Sequence, residues 1–370
     1  MNARERFLKI ARFELAEELM LPSMLQWFWV QALNRWKQEG LPLDVHTEAY
    51  FSFDRMQALP VNTGLFPEFE YRVIEESSDT RIVIDDAGVK RREFKPRRGS
   101  EEHAVRSMSQ WLEFPVRDRQ SWQEHRKRLD PHSPARFPLY WGDLVRQWES
   151  RDYPLGLWGG RSSVSFYGVL RDWIGMENFS YMFHDNPGLV HEMMEYLEHF
   201  YLELLGKVLD AVHLDFLGLW EDMAYKTASL LSPKYFREFM LPHYRKITDF
   251  VRGKGVDVIW VDCDGNIDEL IPLYLEGGVN GILPLEVAAG MDAVALRKQY
   301  GKDLFLIGNI DKRVLAQGAR QIDAEIERKV PVLLSGGGYF PTVDHGVPPD
   351  VSFDNYQYYL QRLRNAAGCL

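Results

Sequence analysis

Two cysteines in 370 residues, Cys263 and Cys369, cannot build a disulfide framework, so the chain fits a reducing compartment. No apolar run is long enough to cross a membrane, and residues 1–6 lead into an amphipathic stretch rather than the apolar core of a signal peptide. Basic residues are in deficit, 44 Lys and Arg against 54 Asp and Glu, for a net charge of −10. That balance disfavours nucleic acid and anionic membranes as partners, although residues 90–98 form a local basic patch. No Gly-x-Gly-x-x-Gly follows an early strand, and no Gly-Lys-Ser/Thr phosphate loop occurs, which weakens any nucleotide-binding reading. These absences leave a cytoplasmic enzyme or small-molecule-binding protein.

What is present begins with helices. Residues 3 to about 39 read as two amphipathic helices, with Phe7, Ile10, Phe13 and Leu15 on one face of the first. Trp27, Trp29, Leu33 and Trp36 belong to the second, which Gly40-Leu41-Pro42 stops. An aromatic-rich lead-in of this kind caps a barrel floor, forms a dimer surface or simply packs. Residues 71–76 and 81–85 then alternate polar and apolar around a Ser-Ser-Asp turn, and residues 86–89 turn into a further short strand. This is an antiparallel hairpin excursion.

From residue 138 the texture becomes strand, loop and helix in repetition. Gly156-Leu157-Trp158 ends a short strand, and Asn186-Pro187 opens a long helix whose buried stripe is Val190, Met194, Leu197, Tyr201, Leu204 and Val208. Strands are expected at 216–220, 256–261, 281–284, 304–308 and 332–335. Their ends carry, in turn, Glu221 and Asp222; Asp262 and Asp264; Glu286; Asn309 and Asp311; and Gly336-Gly337-Gly338. The glycine run admits close approach of a ligand or of packed backbone. The even spacing from Asp262 to Glu286 to Asn309, with polar residues at the same end of each strand, points to an α/β chain folded as a (β/α)8 TIM barrel with its site on the carboxyl face. One domain is expected over 1–370, with a helical extension at 1–40, the hairpin within 41–98 and the main repeats at 138–370.

Asp262 and Asp264, at i and i+2 on an extended backbone, project to one side and suit a divalent metal. They equally suit a solvated turn in which Asp264 or Asn266 caps the helix around 268–274. His345 lies in a loop fixed by Pro348 and Pro349. Distant strand ends converge in a barrel, so His345 would complete a three-ligand set with an open position. Glu221 and Asp222 read as general base or ligand, or as a structural ion pair with Lys226, which could instead bind substrate. Glu286, Asn309, Asp311 and Lys312 are further strand-end candidates, Trp158 and Tyr339 are candidate substrate walls, and Cys263 should face the core.

Several stretches together resemble the uroporphyrinogen decarboxylase superfamily. They are Ser232-Pro233-Lys234-Tyr235-Phe236-Arg237-Glu238-Phe239-Met240-Leu241-Pro242-His243-Tyr244, the central strand with Gly265-Asn266, Gly308-Asn309-Ile310-Asp311, and the glycine run followed by His345-Gly346 and Pro349-Asp350. The likeness runs over residues 140–365 and implies a (β/α)8 barrel that carries out either porphyrinogen decarboxylation or cobalamin-dependent methyl transfer. The Met-Arg-Gln-Ala-Gly-Arg opening of the true decarboxylases is missing, which sets this chain nearer the methyltransferases. There a His-x-Cys-Gly-Asn motif and a later Cys-Gly bind zinc. By position Asp262 replaces the histidine, Asp264 the first cysteine and His345 the later cysteine, so the implied metal is zinc or, with these harder donors, manganese, iron or magnesium. The implied activity moves a methyl group between a small-molecule substrate and cobalamin carried by a corrinoid protein, with Glu221 or Asp222 orienting the substrate. A decarboxylase or lyase and a non-catalytic binding barrel are the alternatives. The resemblance and the aromatic N-terminal helices point to a homodimer.

Overall fold

The computed structural model describes residues 1–14, 18–95 and 109–368. Its strands are β1 (Gln57–Ala58), β2 (Arg72–Glu76), β3 (Thr80–Ile84), β4 (Lys90–Phe94), β5 (Gln110–Glu113), β6 (Leu155–Leu157), β7 (Phe216–Trp220), β8 (Ile259–Asp262), β9 (Gly281–Leu283), β10 (Phe305–Ile307) and β11 (Tyr339–Phe340). Seven pair in the order β1-β6-β7-β8-β9-β10-β11, every pair parallel, and β2 to β5 form a separate antiparallel sheet.

Alternation along the strands creates two cores. Leu217, Leu219, Ile259 and Val261 pack outward against helices. Phe216, Trp260, Phe305 and Phe340 point to the opposite side, where Met56, just before β1, joins them. Residues next to both edge strands thus share one interior cluster, which shows that the sheet curls. The helix Ala3–Ala11 starts in a capping box between Asn2 and Glu5 and inserts Phe7 into this interior. The Phe7 ring centroid lies 5.7 Å from that of Phe216 and 5.2 Å from that of Phe340. Arg4 pairs with Asp215 immediately before β7, so the helix closes the amino end of the curl and leaves the carboxyl end open for a site. Among the described residues no helix is long and apolar enough to cross a membrane.

Several expectations change. The second helix is Val30–Glu39, ended by Gly40 at φ 119°, so Trp27 and Trp29 precede it. Their segment is extended because Phe28 bridges to Val347. Residues 332–335 are not a strand: the helix Ala319–Leu334 continues through Pro331, burying Ile322, Ile326, Val330 and Leu333 at helical spacing. The final strand is β11, after the glycines. Gly337 and Gly338 adopt φ 70° and 68° and are covered by Phe13, so the glycine run serves tight packing. The hairpin gains β5 as a fourth strand. Lys90, Arg91 and Lys95 of the basic patch pair with Glu113, Asp85 and Glu76, while residues 96–98 and Leu15 lie outside the described residues.

Candidate functional site

The same alternation decides which strand-end groups reach the open end. Glu221 continues the outward series of Leu217 and Leu219. Its carboxyl accepts from the Phe166 and Gly168 amides at 3.0 and 2.9 Å and from the Tyr244 hydroxyl at 2.6 Å, all outside the sheet. Burial pushes it up to about 7 against the pull of these donors. Asp222 follows at φ 43°, which turns its side chain back toward Asp264, whose amide lies 3.3 Å from Asp222 Oδ1. Burial, then the charge of Asp264, pushes Asp222 up to about 6, with Arg171 and Arg161 opposing.

Asp262 extends the inward series of Val258 and Trp260. Burial, then the charges of Asp222 and Asp264, drives its carboxyl well above the ordinary range, and the Trp158 indole acts the other way. That indole lies over Gly218, where a Cβ would overlap it, and edge-on to Trp260 with centroids 6.0 Å apart. Its Nε1–H is buried and lacks a well-formed hydrogen bond. His345 Nε2 lies 3.6 Å from Asp264 Oδ2. On the other flank, the Arg161 and Arg171 guanidinium carbons each sit 5.4 Å from the centroid of the Trp220 ring. Arg171 also donates to the Asp222 carbonyl and binds Asp172.

Trp158, Asp222, Asp262, Asp264 and His345 therefore meet at the carboxyl end. Other candidates do not join them. Tyr339 is buried on the outer side, donating to the Gly308 carbonyl at 2.9 Å, because its neighbour Phe340 takes the inward position; it is no substrate wall. Lys226 is exposed and forms no ion pair among the described residues, so the expected pair with Glu221 or Asp222 is absent: Glu221 is taken by Phe166, Gly168 and Tyr244, and Asp222 by the Asp264 amide. Asn309 is wholly buried and binds the loop after β9 through the carbonyls of Leu285 and Met291 and the amide of Ala293. Asp311 pairs with Arg313. Glu286 and Lys312 form their own pair at 3.3 Å beside Asp344, which accepts the Val287 and Lys312 amides. Cys263 is buried as expected.

Among the described residues no group of three or more His, Cys, Asp and Glu side chains is arranged to hold a metal ion. Asp262, Asp264 and His345 approach one another without forming the expected three-ligand seat. Arg161, Arg171 and Asp344 escaped the sequence reading because their partners lie far along the chain: Arg171 and Asp222 are 51 residues apart.

Comparison with known proteins adds a lineage. The family model described as uroporphyrinogen decarboxylase (URO-D) matches residues 169–366, more than half of the chain and all of its strands from β7 onward. The uroporphyrinogen decarboxylase of Maricaulis maris is 25% identical over 130 residues, covering 35% of this chain and 37% of the relative. That of Nocardia farcinica is 28% identical over 174 residues, 46% of each. The chain thus spans about half or less of the length of these curated relatives. A solved methyltransferase from Methanosarcina mazei superposes with a TM-score of 0.57 at 14% identity, over 100% of this chain and 98% of that one, a likeness of fold.

Proposed function

The chain belongs to the uroporphyrinogen decarboxylase family, and we propose that this member moves a methyl group between a small-molecule substrate and a corrinoid that a partner protein presents at the open end of the curl. One observation carries the reading: Asp222, poised at about 6, stands beside Asp264 and Asp262, and Asp262 faces the Trp158 indole N–H, which lacks a good partner. A methyl group leaving oxygen or nitrogen leaves an electron pair behind, and an acid with a pKa near the working pH is matched to protonating it.

In this reading Asp222 gives its proton to the leaving heteroatom. Asp262, its carboxyl pushed well above the ordinary range by burial, and the Trp158 N–H orient that atom, while His345 stands beside Asp264 at the open end. The corrinoid, when bound, supplies the nucleophile that takes the methyl carbon. A divalent ion, whether zinc, manganese, iron or magnesium, would fall to Asp262, Asp264 and His345. Their present arrangement does not fit it.

The full (β/α)8 barrel belongs to the same proposal. Its eighth stave would be the segment around Pro22, which bridges to Asp54 in parallel, with Met20 and Leu25 in the interior cluster. A cytoplasmic location and a homodimer complete the reading: the scarcity of cysteine supports the first, and the family resemblance with the exposed Trp27 and Trp29 supports the second. Decarboxylation is the second reading, favoured by the decarboxylase relatives, with Asp222 protonating a carbanion instead.

Anaerobic incubation with cob(I)alamin and a panel of methylated amines, alcohols and aryl ethers tests the proposal by the visible spectrum of the cobalt. Methyl–cobalt formation that Asp222→Asn abolishes supports it. No methyl–cobalt from any donor, with carbon dioxide released from carboxylated analogues, favours the second reading.

A further inference from the structure

The N-terminal segment ahead of the second helix reaches the site. Trp29 N–H donates to the Val347 carbonyl at 3.1 Å and Val347 N–H to the Trp27 carbonyl at 3.0 Å, so residues 27–29 are clasped along residues 345–347. Trp27 consequently lies on His345, with ring centroids 4.7 Å apart and planes at 43°. Gly346 makes this possible: a Cβ there would come within 2.9 Å of the Trp29 ring and 3.3 Å of the Trp27 ring. Trp36, on the helix that follows, is wholly buried, yet Trp27 keeps 48% of its surface exposed. Core packing accounts for Trp36 and does not account for an indole held at the open end against an imidazole.

We infer that Trp27 is a positioning residue of the site, its indole fixing the His345 ring beside Asp264 and its open face forming an apolar wall for the substrate. The clasp fixes the backbone at Val347, two residues after His345, the Asp344 N–H donates to the Ile310 carbonyl at 2.8 Å on the other side, and the indole removes the freedom left in the imidazole. His345 Nε2 is then directed toward Asp264 Oδ2, 3.6 Å away. The exposed indole face offers no hydrogen-bond acceptor, so a substrate reaching His345 must lay an apolar or planar portion across it. The contact also joins residues outside the family match to the part of the chain inside it.

The catalytic consequence rests on the methyl-transfer reading; the positioning itself does not. Trp27→Leu and Trp27→Phe are compared with Val30→Ala, a change at an exposed position that opens the helix after the clasp. The His345 ring signals, assigned by their loss in His345→Gln, are followed by NMR. Trp27→Leu should displace them, Trp27→Phe should restore them in large part, and Val30→Ala should leave them in place. Because Trp27 is half-exposed, the melting temperature should stay near wild type. In the methyl-transfer assay kcat should fall on the order of tenfold or more in Trp27→Leu, as expected for a misplaced group. Coincident His345 signals in wild type and Trp27→Leu, or an equal displacement in Val30→Ala, would overturn the inference. If wild type transfers no methyl group, the functional reading fails and the NMR comparison still decides the positioning role.

Discussion

Replacing Asp222 by asparagine should make the protein more stable and less active at once. The folded state holds the Asp222 proton to about 6, whereas a free aspartate releases it near 3.8. Each pH unit of that gap is worth about 1.4 kcal/mol, so ionised Asp222 costs the folded protein about 3 kcal/mol at pH values well above 6. The sign follows from proton counts. Between about pH 4 and 6 the folded chain binds more protons than the unfolded one, so this residue's contribution to stability is lost as pH rises through the window. Asparagine removes the charge, keeps an Oδ1 acceptor for the Asp264 amide and tolerates φ 43° at least as well. Urea unfolding in metal-free buffer should show the variant ahead by about 2–3 kcal/mol near pH 8, by about half that near pH 5 and by little near pH 4. A variant no more stable near pH 8, or a gain independent of pH, would refute the claim that burial and the neighbouring carboxylate press on Asp222.

Three further substitutions probe the frame around the site. Phe7→Ala empties the interior between Phe216 and Phe340 and should cost about 3–5 kcal/mol in urea unfolding. Gly218→Ala drives a methyl group into the Trp158 indole and should cost about 1–3 kcal/mol, with a changed near-ultraviolet dichroism reporting the displaced ring. Lys329 is wholly buried, 2.5 Å from Glu325 and bonded to the Asn309 carbonyl; Lys329→Met should cost about 3 kcal/mol by stranding Glu325, and adding Glu325→Gln should recover part of the loss.

Much of the fold was legible because it rests on local pattern. β7 falls where Phe216 to Trp220 announce it, and the helix Pro187–Ala211 buries every residue of its expected stripe. The misreading at 332–335 arose because Val332, Leu333 and Leu334 suit a strand or a buried helix equally, and only the packing of Ala319–Leu334 on Phe353–Gly368 separates the two. The site was half legible. Asp222, Asp262, Asp264, His345 and Trp158 meet as strand-end logic suggests. Glu221 and Tyr339 could not be sorted from their neighbours without knowing which side of the sheet each faces, and a one-residue change of phase reverses that answer. Trp27 reaches His345 across more than 300 residues of chain, through a clasp that leaves no local trace.

The most direct test of the central claim follows two labels in one experiment. A methylated carboxylic acid that the enzyme turns over, labelled with carbon-13 at its methyl group and separately at its carboxyl group, is incubated with reduced corrinoid. Label from the methyl group should appear on cobalt, with the carboxyl label retained in the demethylated product. Carboxyl label released as carbon dioxide, with none of the methyl label on cobalt, would contradict methyl transfer and make this protein a decarboxylase.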